Sequence, residues 1–182
     1  MKGIKTGILL FIALTLLTGV LYPVAVTVLA QTIFPKQSSG SIIYSSNGTP
    51  SGSALIGQPF SDPKNFWSRP SATADFPYNP IASGGSNLGP TNKDLIARVE
   101  DRAGLLRGTG IQISVPADMV MASGSGLDPY ISFESALLQV PRIAKERRMS
   151  EDKVHSLMKE NFEGRQFGFL GAPRVNVCVV NK

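Results

Sequence analysis

A glycine-rich loop holds the residues of this sequence that are best suited to bind an anion. The loop, Ser83-Gly84-Gly85-Ser86-Asn87, continues to Thr91, where a helix is predicted to begin. Backbone N–H groups at such a junction, together with the positive end of the helix dipole, favour a phosphate. The glycine spacing resembles a P-loop, but Pro90 stands where that motif needs its lysine. Two interpretations therefore stay open: a tight turn that caps the helix, or a contact with a nucleotide phosphate.

The other reactive side chains do not form a predicted catalytic or metal-binding group. The sequence has one histidine, His155, and one cysteine, Cys178, which are too few for a zinc site or an intrachain disulfide. His155 is predicted to lie on a helix surface, and Cys178 to be a small buried residue in a strand. No pair of carboxylates has the context of an acid/base dyad. We therefore predict no catalytic residues and no metal ligands.

A long apolar segment precedes the glycine-rich loop. No charged residue occurs from Thr6 to Pro35, and about 20 apolar residues suffice to cross a bilayer as a helix. We predict a transmembrane helix over residues 6–30. Pro23 is expected either to kink this helix or to mark the start of its last third. It contains no ionisable group, so it is not predicted to conduct ions itself. The alternative is a signal peptide cleaved after Ala30, but the apolar run is longer than usual for one.

The flanking charges predict the orientation of this helix. Lys2 and Lys5 precede it, whereas only Lys36 follows it before Asp62. By the positive-inside rule, residues 1–5 are cytoplasmic and residues 31–182 form an extracytoplasmic globular domain.

The predicted domain is small and of the α+β class, because short strands alternate with two or three helices. Its basic residues are interleaved with acidic ones despite a net charge of +5, which argues against nucleic-acid binding. The predicted elements are ordered strands and loops over Ser38–Thr91, a helix from a Thr91 cap to Gly108, a strand over Ile111–Val115, a helix capped by Ser132 that Pro141 breaks or kinks, a helix capped by Ser150, and a strand over Arg174–Asn181.

A series of motifs carries a family resemblance along nearly the whole chain. They are GSALIGQPF (52–60), FWSRPSA (66–72), YNPIASGGSNLGPTN (78–92), VPADMVMASGSGLDPYIS (115–132), QVPRIAKER (139–147) and VNV (175–177). In this order they resemble the KdpC family, the C subunit of the bacterial Kdp high-affinity potassium-transporting P-type ATPase.

The resemblance implies a non-catalytic accessory subunit in the bacterial plasma membrane. Its implied partners are a K⁺-conducting subunit, an ATP-hydrolysing subunit, a small membrane subunit and membrane lipid. It implies a role in assembly and activity, as a catalytic chaperone that raises the ATP affinity of the hydrolysing subunit. No cofactor is expected on the chain alone, whereas ATP is possible within the complex.

The resemblance also bears on the glycine-rich loop. Ser83-Gly84-Gly85 resembles the Ser-Gly-Gly-Gln phosphate-sensing element of ABC transporters, although Ser86 occupies the Gln position. ATP is cytosolic, whereas the charges predict an external domain. Either the loop contacts ATP and the orientation is reversed, or ATP affinity is changed at a distance. A third alternative is an anchored extracytoplasmic binding protein unrelated to transport.

Overall fold

The computed structural model describes residues 2–111 and 114–182. The chain divides into a unit that ends at Ile42 and a second unit, Ile43–Lys182. The second unit is a small mixed domain of helices and short strands, and the prediction of an N-terminal apolar helix followed by an α+β domain is confirmed. The predicted strand Ile111–Val115 includes residues 112 and 113, which lie outside the described residues.

The first unit is almost entirely helical. It consists of α1 (Lys2–Leu16), a π-helical segment (Leu17–Leu21), α2 (Tyr22–Ile33) and α3 (Pro35–Ser38). The continuous stretch Gly3–Ile33 is long and apolar enough, by length and composition, to cross a membrane.

The π-helical segment has a cause in the sequence. The N–H of Tyr22 donates to the carbonyl of Leu17, five residues back, and Pro23 follows immediately. Pro23 has no N–H, and its ring crowds the carbonyl four residues before it. A widened turn relieves that clash, so the distortion predicted at Pro23 takes the form of a π-helical turn.

The second unit contains two small sheets and five helices among its described residues. Strands β1 (Ile42–Tyr44) and β2 (Pro50–Ser53) pair with each other, and the other elements are α4 (Lys93–Gly108), α5 (Ala117–Val120), β3 (Tyr130–Ser132), α6 (Phe133–Arg147), α7 (Glu151–Glu160), β4 (Phe162–Glu163), β5 (Arg174–Asn176) and α8 (Val177–Val180). The second sheet is antiparallel with β5 in the centre, so that Val175 lies opposite Ile131 on one side and Phe162 on the other.

Helices α6 and α7 supply much of the core, together with the inner face of the second sheet. Ser132 caps α6 as predicted, and its Oγ accepts from the N–H of Ser135 at 3.1 Å. Among the described residues, the fully buried apolar side chains are Phe66, Leu106, Met119, Ile131, Ala136, Val140, Ile143, Val154, Met158, Val175 and Val177.

Two sequence predictions about element ends are wrong in detail, and of the two outcomes predicted at Pro141, a break or a kink, the break does not occur. Asn92, not Thr91, caps α4, since its Oδ1 accepts from the N–H of Asp94 at 2.8 Å. Pro141 does not break α6, because buried residues on both sides of it hold the helix through to Arg147. The last strand ends at Asn176, whose Oδ1 accepts from the N–H of Cys178 at 3.1 Å and so starts α8.

Candidate functional site

The glycine-rich loop predicted to bind an anion packs against a second glycine-rich loop, Ala122–Pro129. The hydroxyl of Ser83 and the N–H of Gly84 both donate to the carbonyl oxygen of Ser125, at 3.0 and 2.9 Å. At Gly85 a Cβ would lie 3.2 Å from the carbonyl oxygen of Gly124, so the backbones approach closely there. The predicted phosphate loop, Ser83-Gly84-Gly85-Ser86-Asn87, is therefore one half of an interlocked pair.

This packing bears directly on the predicted phosphate contact. Two of the donors in the loop, the Ser83 hydroxyl and the Gly84 amide, already bond to protein. The loop also does not run straight into the helix, because the N–H of Asn92 first closes a turn on the carbonyl of Gly89 at 3.0 Å. The phosphate contact stays a prediction, and the donors left for it are the amides of Gly85, Ser86 and Asn87.

A third loop, Ser71–Ala82, is hydrogen-bonded to the second of the two glycine-rich loops, and we call it the braced loop. The hydroxyl of Ser71 donates to the carbonyl oxygen of Gly126 at 2.8 Å and accepts from the N–H of Tyr78 at 2.9 Å. The Tyr78 hydroxyl in turn donates to the carbonyl oxygen of Arg69 at 2.6 Å. Burial raises the pKa of Tyr78 to about 12, so this hydroxyl keeps its proton and its donor role at physiological pH.

Arg69 connects the braced loop to the end of the second glycine-rich loop. Its guanidinium forms an ion pair with Asp128 at 2.9 Å, and both side chains are about a quarter to a third exposed, at 24% and 30%. Asp128 also accepts from the N–H of Tyr130 at 3.0 Å, at the start of β3. The pair therefore fixes the braced loop relative to the second sheet.

Helix α6 holds another loop through the QVPRIAKER motif. The Arg142 guanidinium lies 4.2 Å from the centre of the Trp67 ring and donates to the carbonyl oxygens of Pro63 and Asn65, the latter at 3.0 Å. Burial lowers the pKa of Arg142 to about 10, which still leaves it charged at neutral pH. Arg147 adds a bond to the carbonyl oxygen of Lys64 at 2.6 Å. The motif thus acts as a clamp on residues 63–67.

The remaining reactive residues are His155 and Cys178. His155 is half-buried on α7, and the Cys178 thiol is buried and donates to the carbonyl oxygen of Ile56 at 3.4 Å. Burial raises the pKa of Cys178 to about 11, so its thiol is not ionised at neutral pH. Among the described residues, no three His, Cys, Asp or Glu side chains lie together in a way that could hold a metal ion.

Gln139 and Arg142, which hydrogen-bond residues 63–67, were not predicted from the sequence to have this role. Gln139 is fully buried and Arg142 almost fully buried on α6, on the same helix as the buried Val140 and Ile143. Their signal was present in the sequence: polar residues on the apolar face of an amphipathic helix must be hydrogen-bonded when buried. These side chains hydrogen-bond to the backbone of residues 63–67, so the loop on the protein surface keeps one conformation.

The similarity to known proteins extends along the whole chain. The family model described as KdpC, K⁺-transporting ATPase, c chain, matches residues 4–182. The potassium-transporting ATPase KdpC subunit of Geobacter metallireducens is 54% identical over 181 residues, which cover 100% of this chain and 96% of that protein. The KdpC subunits of Geotalea uraniireducens and Burkholderia cenocepacia are 55% and 51% identical, with 96% and 93% of their lengths covered.

Proposed function

Since the chain belongs to the KdpC family, and is thus an accessory subunit of a K⁺-transporting ATPase, we propose that it acts by docking on the other subunits and not by a reaction of its own. The observation that carries this proposal is the use of the polar motif side chains. The side chains of Gln139, Arg142 and Ser71 all hydrogen-bond to backbone groups of loops. Rigid loops of this kind favour binding, because less conformational entropy is lost when a partner docks.

The proposed partners are the K⁺-conducting subunit, the ATP-hydrolysing subunit and the small membrane subunit of the complex. The stretch Gly3–Ile33 would anchor the chain in the bacterial plasma membrane among them. Lys2 and Lys5 on one side, against the single Lys36 on the other, support a cytoplasmic N-terminus and an extracytoplasmic domain.

The chaperone role is proposed to operate at a distance. An external domain has no ATP available, so a rise in ATP affinity would be a coupling free energy carried through subunit contacts. The bonds from Ser83 and Gly84 to Ser125 favour this version, because they occupy donors that a phosphate would need.

A direct ATP contact is the second candidate function. Its support is the backbone at Asn87, which has a positive φ of 52° and an exposed side chain. Backbone turns of this kind can point successive N–H groups at an anion. The contact would use Gly85, Ser86 and Asn87, and it requires a cytosolic domain.

The two candidate functions differ in the side of the membrane on which the globular domain lies. Cys178 is replaced by Ala and the exposed Ser46 by Cys, which gives a chain with one accessible thiol. In intact cells, a membrane-impermeant maleimide is expected to label this thiol. Labelling only after the cells are permeabilised would contradict the external domain and support the ATP contact. The mass of the mature chain checks the anchor, because loss of residues 1–30 would reveal a cleaved signal peptide.

Two reconstitution experiments test the function itself. Omitting the chain from the reconstituted complex is expected to abolish ATP-driven K⁺ uptake, and full uptake without it would refute an accessory role. The variant Ser86→Pro removes one of the backbone amides left for a phosphate, keeps the Ser83 and Gly84 donors, and is expected to leave the KM for ATP unchanged. A KM raised about tenfold or more would favour the direct contact.

A further inference from the structure

The braced loop Ser71–Ala82 is held far more firmly than an exposed surface loop needs to be. Asn79 is buried, and its N–H donates to the hydroxyl of Thr73 at 3.1 Å while its Nδ2 donates to the carbonyl oxygen of Ala74 at 3.1 Å. Its Oδ1 accepts from the N–H of Ile81 at 3.1 Å. The Thr73 hydroxyl also donates to the carbonyl oxygen of Phe76 at 2.7 Å. One buried amide thus fixes both ends of the loop.

The same loop holds backbone that ordinary residues avoid. Asp75 and Tyr78 have φ values of 68° and 62°, in the left-handed region, which costs a non-glycine residue about 1 kcal/mol or more. Tyr78 cannot relax by moving its ring, because the ring packs on Gly57, where an added Cβ would overlap it. Such conformations persist only where the surrounding structure enforces them, and they are concentrated at functional sites.

This rigid loop displays apolar side chains to solvent. Ile81 is 94% exposed and Phe76 is 55% exposed. A surface cleft of about 540 Å³ opens beside Phe76, with Ile56, Pro59 and Pro80 among its lining residues. A fixed apolar projection next to an apolar cleft has the anatomy of an interface core, in which an anchor from each partner enters the other.

The charge of this region indicates which kind of partner fits. From Pro70 to Asn92 the only charged residue is Asp75, and there is no lysine or arginine. A surface that binds anionic lipid needs basic residues around its apolar side chains, whereas protein interface cores are depleted in charge. The chain belongs to a family of ATPase subunits, so the other subunits of that ATPase are the protein partners to consider.

We propose that the braced loop is a docking surface for another protein subunit of the same ATPase: Ile81 enters an apolar recess on that subunit, and the cleft beside Phe76 receives one of its side chains. The proposal rests on the proposed function, because it takes the chain to work by docking. It adds which surface docks and which side chains anchor it.

Site-specific crosslinking tests the contact in the assembled complex. Ile81 is replaced by the photoreactive amino acid p-benzoylphenylalanine in the full chain, which is produced together with the other subunits and irradiated. The matched control carries the same group at Leu105, which is 62% exposed on α4. We expect a covalent product with another subunit at position 81, in at least tenfold higher yield than at position 105. Products with lipid, with a second copy of the chain, or in equal yield at both positions would overturn the proposal.

A titration distinguishes failure of this inference from failure of the proposed function. Wild-type chain, Ile81→Asp and the control Leu105→Asp are each titrated into proteoliposomes that hold the remaining subunits, and K⁺-dependent ATPase activity is measured. We expect Ile81→Asp to need at least tenfold more chain for half-maximal activity, with an unchanged melting temperature, and Leu105→Asp to match wild type. If wild type restores no activity, the proposed function fails. If wild type and Ile81→Asp restore activity equally, only the docking inference fails.

Discussion

The side-chain amide of Gln139 hydrogen-bonds both backbone groups of Trp67. Its Oε1 accepts from the Trp67 N–H at 2.7 Å, and its Nε2 donates to the Trp67 carbonyl oxygen at 3.3 Å. The side chain of Asn181 does the same for Phe66, at 2.8 and 2.9 Å. Two amides that are distant in sequence therefore satisfy the backbone of residues 66–67 as a neighbouring strand would.

The first prediction concerns Gln139→Leu, a change that keeps the volume of the buried side chain but removes its amide. The N–H of Trp67 and one donor of Arg142 would lose their partner, and each unpaired buried group costs about 1–3 kcal/mol. We expect the free energy of unfolding to fall by about 3 kcal/mol, measured by urea titration of the full chain in detergent. Gln166→Leu, at an exposed position, is the control and should change it by less than about 0.5 kcal/mol. Equal losses in both variants would contradict this role for Gln139.

Sequence reasoning succeeded where the signal was local. Ser132 could be recognised as a helix cap because serine is a favoured residue at the N-cap, and Pro23 as a distortion because it lacks an N–H. Local rules could not decide between Thr91 and Asn92, since both side chains can cap a helix. They also could not show that Asn176 would cap a new turn, because Val175, Val177 and Val179 fit a strand equally well.

The candidate site was harder to predict, because it depends on contacts between distant segments. Each glycine-rich loop was visible in the sequence, but the bond from Ser83 to Ser125 joins residues 42 positions apart. No periodicity or spacing encodes such a pairing. The same holds for the braced loop: the sequence predicts ordered loops in this region, but it does not show that Asn79 is buried and hydrogen-bonded to other residues of the loop.

The second prediction compares two glycines that differ in their surroundings. At Gly57 an added Cβ would overlap the Tyr78 ring and lie 2.9 Å from the carbonyl oxygen of Asp128. Gly57→Ala is therefore expected to lower the free energy of unfolding by about 1–3 kcal/mol. Gly104, inside α4, has open space around it, so Gly104→Ala is expected to raise that free energy by about 0.5–1 kcal/mol. Urea titration measures both, and a gain in stability from Gly57→Ala would contradict the packing of Tyr78 on this glycine.

The third prediction is a pH dependence that comes from Cys178. Burial raises the pKa of its thiol from 9.0 to about 11, because the thiolate would lose its hydration. Between these two pH values the folded chain keeps a proton that the unfolded chain has released. The stabilisation is therefore complete below pH 9 and is lost as the pH rises towards 11.

The measurement is urea unfolding of the full chain at pH 8 and pH 10. Wild type is expected to lose about 1 kcal/mol more than Cys178→Ala over this interval. Tyr78, whose pKa is raised to about 12, acts in the same direction at higher pH but is present in both proteins. An identical loss in the two proteins would show that the thiol ionises as easily in the folded state as in the unfolded one.

The last prediction uses Trp67, the only tryptophan of the chain, as a probe of the clamp on α6. Arg142→Lys keeps the positive charge but loses the planar group above the indole ring and its forked bonds to the carbonyl oxygens of Pro63 and Asn65. We expect the fluorescence of Trp67 to shift to longer wavelength and to become more accessible to acrylamide, with a loss of about 2 kcal/mol in the free energy of unfolding. Arg98→Lys, at an exposed position on α4, should leave all three quantities unchanged. Because the emission comes from one side chain, a spectrum unchanged in Arg142→Lys would mean that a point charge suffices there and that the stacked, forked geometry contributes nothing.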